Sequence, residues 1–422
     1  MEPLIVALFL VFFTLEFIVE FGLNELNLRH ARARWAEQKI PDFFRDKVSS
    51  DEYENSVQYA LAKGRFQRWA EIYGRLVTLL VLFGGLLPFM DRFSKALSSR
   101  FFSIIYAEGL IFCFGVAFIF SAASLPTDLY ATFRLETRFG FNKTTWKLYF
   151  TDKLKGIVLG VLIGGPFLFV VLWLMDATGS HWWIWAFLFV SGFQLLMVAV
   201  YPTIIAPLFN KFEPLPEGEL RNRILHLAEQ VGFKAQGIYS MDGSRRSAHS
   251  NAYFTGLGKA KRIVLFDTLI AQMTMDQGLA VLAHEMGHYK MKHIRRMLMV
   301  QTIFLFTGFY VLSLLVSYKP LFSAFGFDNP SNHAALVLFS LLLGPFTFYL
   351  SPLLNGLSRK HEYEADRFSV ETLKDGKPME EALVSLTIKN LSNLTPHPWY
   401  SAYHYSHPSP AERIGAIRKS RF

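Results

Sequence analysis

Cysteine occurs once in the 422 residues, as Cys113, within an apolar stretch. A lone thiol excludes an internal disulfide and any multi-thiolate metal cage, so a bound metal must be held by histidine and carboxylate. Charge is also scarce, at 18% of residues against roughly 25% in an average soluble domain. No glycine-rich phosphate loop, aromatic–basic RNA motif, internal repeat or low-complexity tract occurs. The net charge of +9 is therefore no sign of nucleic acid. Basic loops facing anionic lipid headgroups account for it.

What is abundant is apolar. Hydrophobic residues make up 52% of the chain, and phenylalanine alone occurs 42 times. About 20 consecutive apolar residues cross a bilayer as a helix. Seven such stretches are expected, near 3–23, 70–90, 104–126, 156–176, 182–205, 298–317 and 334–356. The first has no basic n-region and no small-residue cleavage site, and it carries Glu16 and Glu20, so it reads as a retained span. Lys and Arg number nine in the first loop and six in the third, against three, none and one in the second, fourth and sixth. By the positive-inside rule the odd loops and the C-terminus face the cytoplasm. Glu16 and Glu20 share one helical face. Glu16 suits a wet interior, whereas Glu20 fits either that interior or a solvated interface.

Four segments follow: an N-terminal membrane domain over 1–205, a cytoplasmic catalytic domain over 206–297, the last two spans over 298–356, and a cytoplasmic part over 357–422 completing the site. Residues 49–75 read as a helical pattern extending the second span into the cytoplasm. In the large fifth loop, Leu220, Ile224, Leu227, Ala228 and Val231 space as an amphipathic helix. A strand is predicted over Ile263–Phe266 after a Gly/Lys turn. Thr274 and Gln277 form a capping box for a helix over about 275–296.

That helix carries His284-Glu285-Met286-Gly287-His288. Two histidines one turn apart can reach one ion, and Glu285 beside them is placed to take a proton from an attacking water. Against this stands a helix that is merely histidine-rich, as His293 nearby suggests. Catalytic zinc takes three protein ligands and keeps one position open. Glu362 could supply the third, with Asp366 one turn on accepting a hydrogen bond from a ligand histidine. Glu364 points elsewhere on such a helix, and the bland alternative is a charged juxtamembrane surface.

The HEMGH motif, the later EYEAD, the segment SRRSAHSNAYFTGLGKAKRIVLFDTL, and HPSPAERI together resemble the type I CAAX prenyl endopeptidases, integral-membrane zinc proteases. LPTDLYATFRLETRFGFNK and PLFNKF are similar to the same family, and the resemblance spans about 10–417. It implies an all-α integral membrane fold, seven helices enclosing a water-filled chamber, joined to a gluzincin-like α+β protease domain. It implies one zinc per chain on His284, His288 and Glu362, with Glu285 as catalytic base and Asp366 behind the ligands. By the same resemblance His407 steadies the transition state, Arg413 belongs to its motif, and Asn251 and Ala252 bind substrate backbone at a strand edge. Without it, His407 reads as a tail residue and Asn251 as a turn residue.

The expected reaction is hydrolysis of a peptide or protein, prenylated at a CAAX end in the family's named activity. Membrane-protein quality control without CAAX substrates is the alternative, and a transporter or channel with structural zinc the remote one. The ending Arg-Lys-Ser-Arg-Phe shows no dilysine signal. The expected setting is a bacterial inner membrane, or the endoplasmic reticulum if the chain is eukaryotic.

Overall fold

Among the described residues six helices are long and apolar enough to cross a membrane, and the number is seven if one bent helix pair is counted as a single span. The structure, a computed structural model, describes residues 1–37, 40–102, 104–233, 236–255 and 262–419. The membrane part runs α1 (Glu2–Ala36), α2 (Ser50–Phe83), α3 (Leu86–Phe101), α4 (Ala107–Tyr130), α5 (Trp146–Ala177), α6 (Trp182–Val200) and the short α7 (Ala206–Phe209). The second expected span proves to be bent: α2 and α3 meet at 58°. Gly85, at φ 74°, makes the break in a backbone region that side chains resist. Outward-facing Phe118, Leu162 and Ile303 are all more than 60% exposed, as on a surface solvated by lipid tails.

The second half adds β1 (Phe212–Pro214), α8 (Glu219–Gln230), β2 (Gly237–Met241), β3 (Ala252–Thr255) and β4 (Arg262–Phe266). Then come α9 (Asp267–Gln272), α10 (Met275–Lys290), α11 (His293–Leu315), α12 (Lys319–Ala324), α13 (Asn332–Thr347) and α14 (Ser351–Leu373). The chain ends with α15 (Lys377–Lys389), α16 (Pro398–His404) and α17 (Pro410–Lys419). The expected amphipathic helix is α8, which buries Ile224, Leu227 and Ala228. The expected strand is β4, whereas the Gly/Lys turn before it lies outside the described residues. The sheet order is β1-β2-β4-β3, with β2 and β4 parallel and both outer pairs antiparallel. Ile263, Val264 and Leu265 of β4 are buried, as a central strand requires.

Two cavities lie between the halves. Glu16, Glu20, Glu71, Arg75 and Asn355 line one of about 470 Å³. Asn24, Gln67 and His404 are shared with a second of about 530 Å³, which reaches His407 and Arg413. Glu16 and Glu20 thus both face a polar interior, paired at 3.4 Å with Arg75 and at 3.3 Å with His404.

The capping box opens α10 as expected, Thr274 and Gln277 each bonding the other's backbone. The expected helix over 275–296 is nevertheless broken. Lys292 sits at φ 62°, so α10 stops at Lys290 and α11 restarts at His293. The sixth crossing therefore starts before the expected residue 298.

Candidate metal centre

The site forms where α10 crosses α14. A Cβ on Gly287 would lie 3.1 Å from the Ala365 Cα, so only glycine lets the helices approach this closely. The Ser369 hydroxyl donates to the Ala280 carbonyl at 2.8 Å and holds the crossing. On α10, i and i+4 share a face, which brings His284 and His288 together toward Glu362 of α14.

The convergence is tight. His284 Nε2 and His288 Nε2 are 3.2 Å apart. Glu362 Oε2 is 3.5 Å from the first and Oε1 3.2 Å from the second. A tetrahedral ion with bonds of about 2.0–2.1 Å sets its ligand atoms about 3.3–3.4 Å apart. Two bare imidazole nitrogens at such a distance repel unless a cation or proton lies between them. Glu362 Oε2 is buried with no aligned hydrogen-bond donor, although His407 Nδ1 approaches to 2.8 Å. The cluster therefore fits a divalent cation.

Behind His284, Asp366 Oδ1 lies 2.8 Å from Nδ1. Arg413 grips Asp366 with both Nε and Nη2, at 2.8 and 2.6 Å. Without a metal, burial and the Arg413 charge push the His284 pKa down. Hydrogen bonds to Asp366 and Glu362 outweigh them, and it rises to about 9. Glu285 is half-buried, and its charge is felt by Arg413. His407 lines the cavity with 65% of its side chain exposed.

Asn251 and Ala252 fall where β3 begins, on the sheet's outer edge, with β3 packed on α10. Phe266 N–H donates to the Asn251 carbonyl. Strand alternation then turns the backbone groups of Ala252 and Phe254 outward. The Asn251 side chain already accepts the Ala252 N–H at 2.8 Å.

Two residues set aside in the sequence belong here. His293 is buried, its Nδ1 3.0 Å from His288 Nδ1 and its Nε2 2.8 Å from Glu364. The helix break brings them together, and nothing in the periodicity signals it. A second cluster, Asp91, Glu108 and His333, lies away from this site. Its His333–Asp91 bond of 2.7 Å ties α13 to α3.

Residues 30–211 match the family described as CAAX prenyl protease N-terminal, five membrane helices, and residues 214–421 match peptidase family M48. CAAX prenyl protease 1 of Saccharomyces cerevisiae is 34% identical over 424 residues, covering 95% of this chain and 93% of that protein. The CAAX prenyl protease 1 homolog of Arabidopsis thaliana is 39% identical over 378 residues, covering 88% of each. The crystal structure of S. mikatae Ste24p matches with a TM-score of 0.89 and 34% identity, over 97% of this chain and 98% of that one.

Proposed function

Because the chain belongs to the CAAX prenyl protease family within peptidase family M48, a multi-pass membrane metalloendopeptidase, we propose that it removes the C-terminal tripeptide from prenylated proteins with one zinc ion held by His284, His288 and Glu362. The convergence of those three donors within 3.5 Å, with Glu285 on the same helix, carries the reading.

A bound zinc supplies Lewis acidity toward the scissile carbonyl and acidifies water at neutral pH. Asp366 accepts the His284 Nδ1–H, which keeps the Nε2 lone pair turned into the site. Arg413 fixes Asp366 in turn. Glu285 takes the proton of the attacking water and returns it to the leaving amine, a role worth about 10²–10⁴ in rate. His407 donates a hydrogen bond to the developing oxyanion; losing one such donor costs about 10²–10³. The substrate strand adds to β3, where the Ala252 carbonyl and the Phe254 backbone face outward while Asn251 caps the edge. Two cavities that share Asn24, Gln67 and His404 lie between the membrane part and the site, and one of them reaches His407 and Arg413. The positive charge of the short odd-numbered loops supports a cytoplasmic position for this chemistry.

Purified protein in lipid nanodiscs is given a farnesylated CAAX peptide and its unprenylated twin. Chelator-sensitive release of the tripeptide from the farnesylated peptide, lost in Glu285→Gln, supports the proposal. Equal cleavage of both peptides, or cleavage of misfolded membrane proteins instead, refutes the prenyl specificity and favours quality control.

A further inference from the structure

The two histidine ligands are supported by different means. Asp366 and Arg413 stand behind His284. Behind His288 stands another histidine. We propose that His293 and Glu364 are positioning residues that fix the tautomer and ring orientation of His288, an inference that rests on the zinc site proposed above.

The tautomers follow from the distances. With its Nε2 lone pair turned into the site, His288 carries its proton on Nδ1. His293 Nδ1 lies 3.0 Å from that nitrogen and so must be bare, because two N–H groups cannot face each other at this separation. The proton of neutral His293 is then on Nε2, 2.8 Å from the Glu364 carboxylate that accepts it. Each group in the chain His288–His293–Glu364 thus determines the next, and Glu364 anchors the far end. Arg296, at 3.4 Å, holds Glu364 in place.

The surroundings leave His293 little freedom. It is 2% exposed and stacks on His361, with centroids 4.1 Å apart and planes at 12°. The backbone is also shaped for this contact. Residues five apart on a continuous helix diverge by about 140°, so His293 would point away from His288 if α10 ran on. The left-handed Lys292 ends α10 and swings His293 back. A non-glycine residue at positive φ is costly and persists only where its surroundings impose it.

Such partners typically change metal affinity 10- to 100-fold. Full-length protein in micelles is titrated with zinc against a chromogenic chelator, and peptide kinetics are measured in parallel. His293→Phe keeps the ring on His361 but removes both nitrogens. Zinc affinity should fall about 10- to 100-fold, with kcat reduced and KM unchanged. His293→Gln, which can both accept and donate, should recover most of the affinity. Glu364→Leu, altered only at the 29%-exposed far end, should shift affinity the same way as His293→Phe and tests the chain if that variant does not fold. Wild-type zinc affinity in His293→Phe or Glu364→Leu, whatever happens to the thermal stability of the metal-free protein, would reduce the pair to packing and overturn the inference. Glu362→Gln in the same titration separates the two readings. If it too keeps wild-type affinity, the zinc site itself is misassigned. If it alone loses zinc, only the positioning role fails.

Discussion

Replacing Asp366 by Asn removes the charge at the centre of a buried network. The carboxylate is 2% exposed, takes two bonds from Arg413 at 2.6 and 2.8 Å, and lies 2.8 Å from His284. Asp366→Asn leaves the Arg413 guanidinium with Glu362, at 3.5 Å, and the weaker influence of Glu285 as counter-charges. Breaking a buried ion pair by removing one partner costs about 3–5 kcal/mol. Arg413→Met should cost a similar amount, for the converse reason. In the double variant neither charge is left stranded, so the loss should be no greater than for either single variant, a coupling of about 3 kcal/mol. Zinc binding should behave otherwise. Asn can present its amide nitrogen to His284, which no longer guarantees the required tautomer. Affinity should fall about 10- to 100-fold in Asp366→Asn and stay low in the double variant. Equilibrium unfolding in mixed micelles reads the first effect, and chelator competition the second. Additive stability losses, or wild-type zinc affinity in Asp366→Asn, would refute the reasoning.

Three further outcomes are expected. Glu285→Gln should lower kcat by at least about 10²-fold with zinc retained, as metal analysis alongside peptide turnover would show; parallel loss of zinc would contradict its role as base. Gly287→Ala must push α14 away by a few tenths of an ångström, so zinc affinity should drop more than for Gly278→Ala on the same helix, where a Cβ meets nothing. The metal-free His284 pKa is raised, so its proton stabilises the fold fully below about pH 6.5, and that contribution is lost as pH rises through about 9. Metal must displace this proton, so calorimetry in buffers of different ionisation enthalpy should find about one proton released per zinc at pH 7.5, with affinity rising toward pH 9.

Much of this was legible in the sequence because it is periodic. Apolar length gave the six long helices and the bent pair, Thr274 and Gln277 the start of α10, and i,i+4 spacing both His284 with His288 and Glu362 with Asp366. The bend at Gly85 was not legible, since the apolar stretch runs through it. The break at Lys292 escaped for a related reason: the helical pattern continues across it, and the contacts His293 makes with His288, His361 and Glu364 are tertiary. His293 therefore read as stray and Glu364 as pointing elsewhere, although the two meet behind the site. Asn251 and Ala252 at the edge of β3 came from family resemblance, because a four-residue strand carries little pattern of its own.

Anomalous diffraction at the zinc edge, on crystals of the full chain, tests the metal site most directly. The expected result is one peak per chain, about 2.0–2.2 Å from His284 Nε2, His288 Nε2 and a Glu362 oxygen, with the fourth position free of protein atoms. A peak elsewhere, or one closed off by a fourth protein ligand such as His407, would contradict the account.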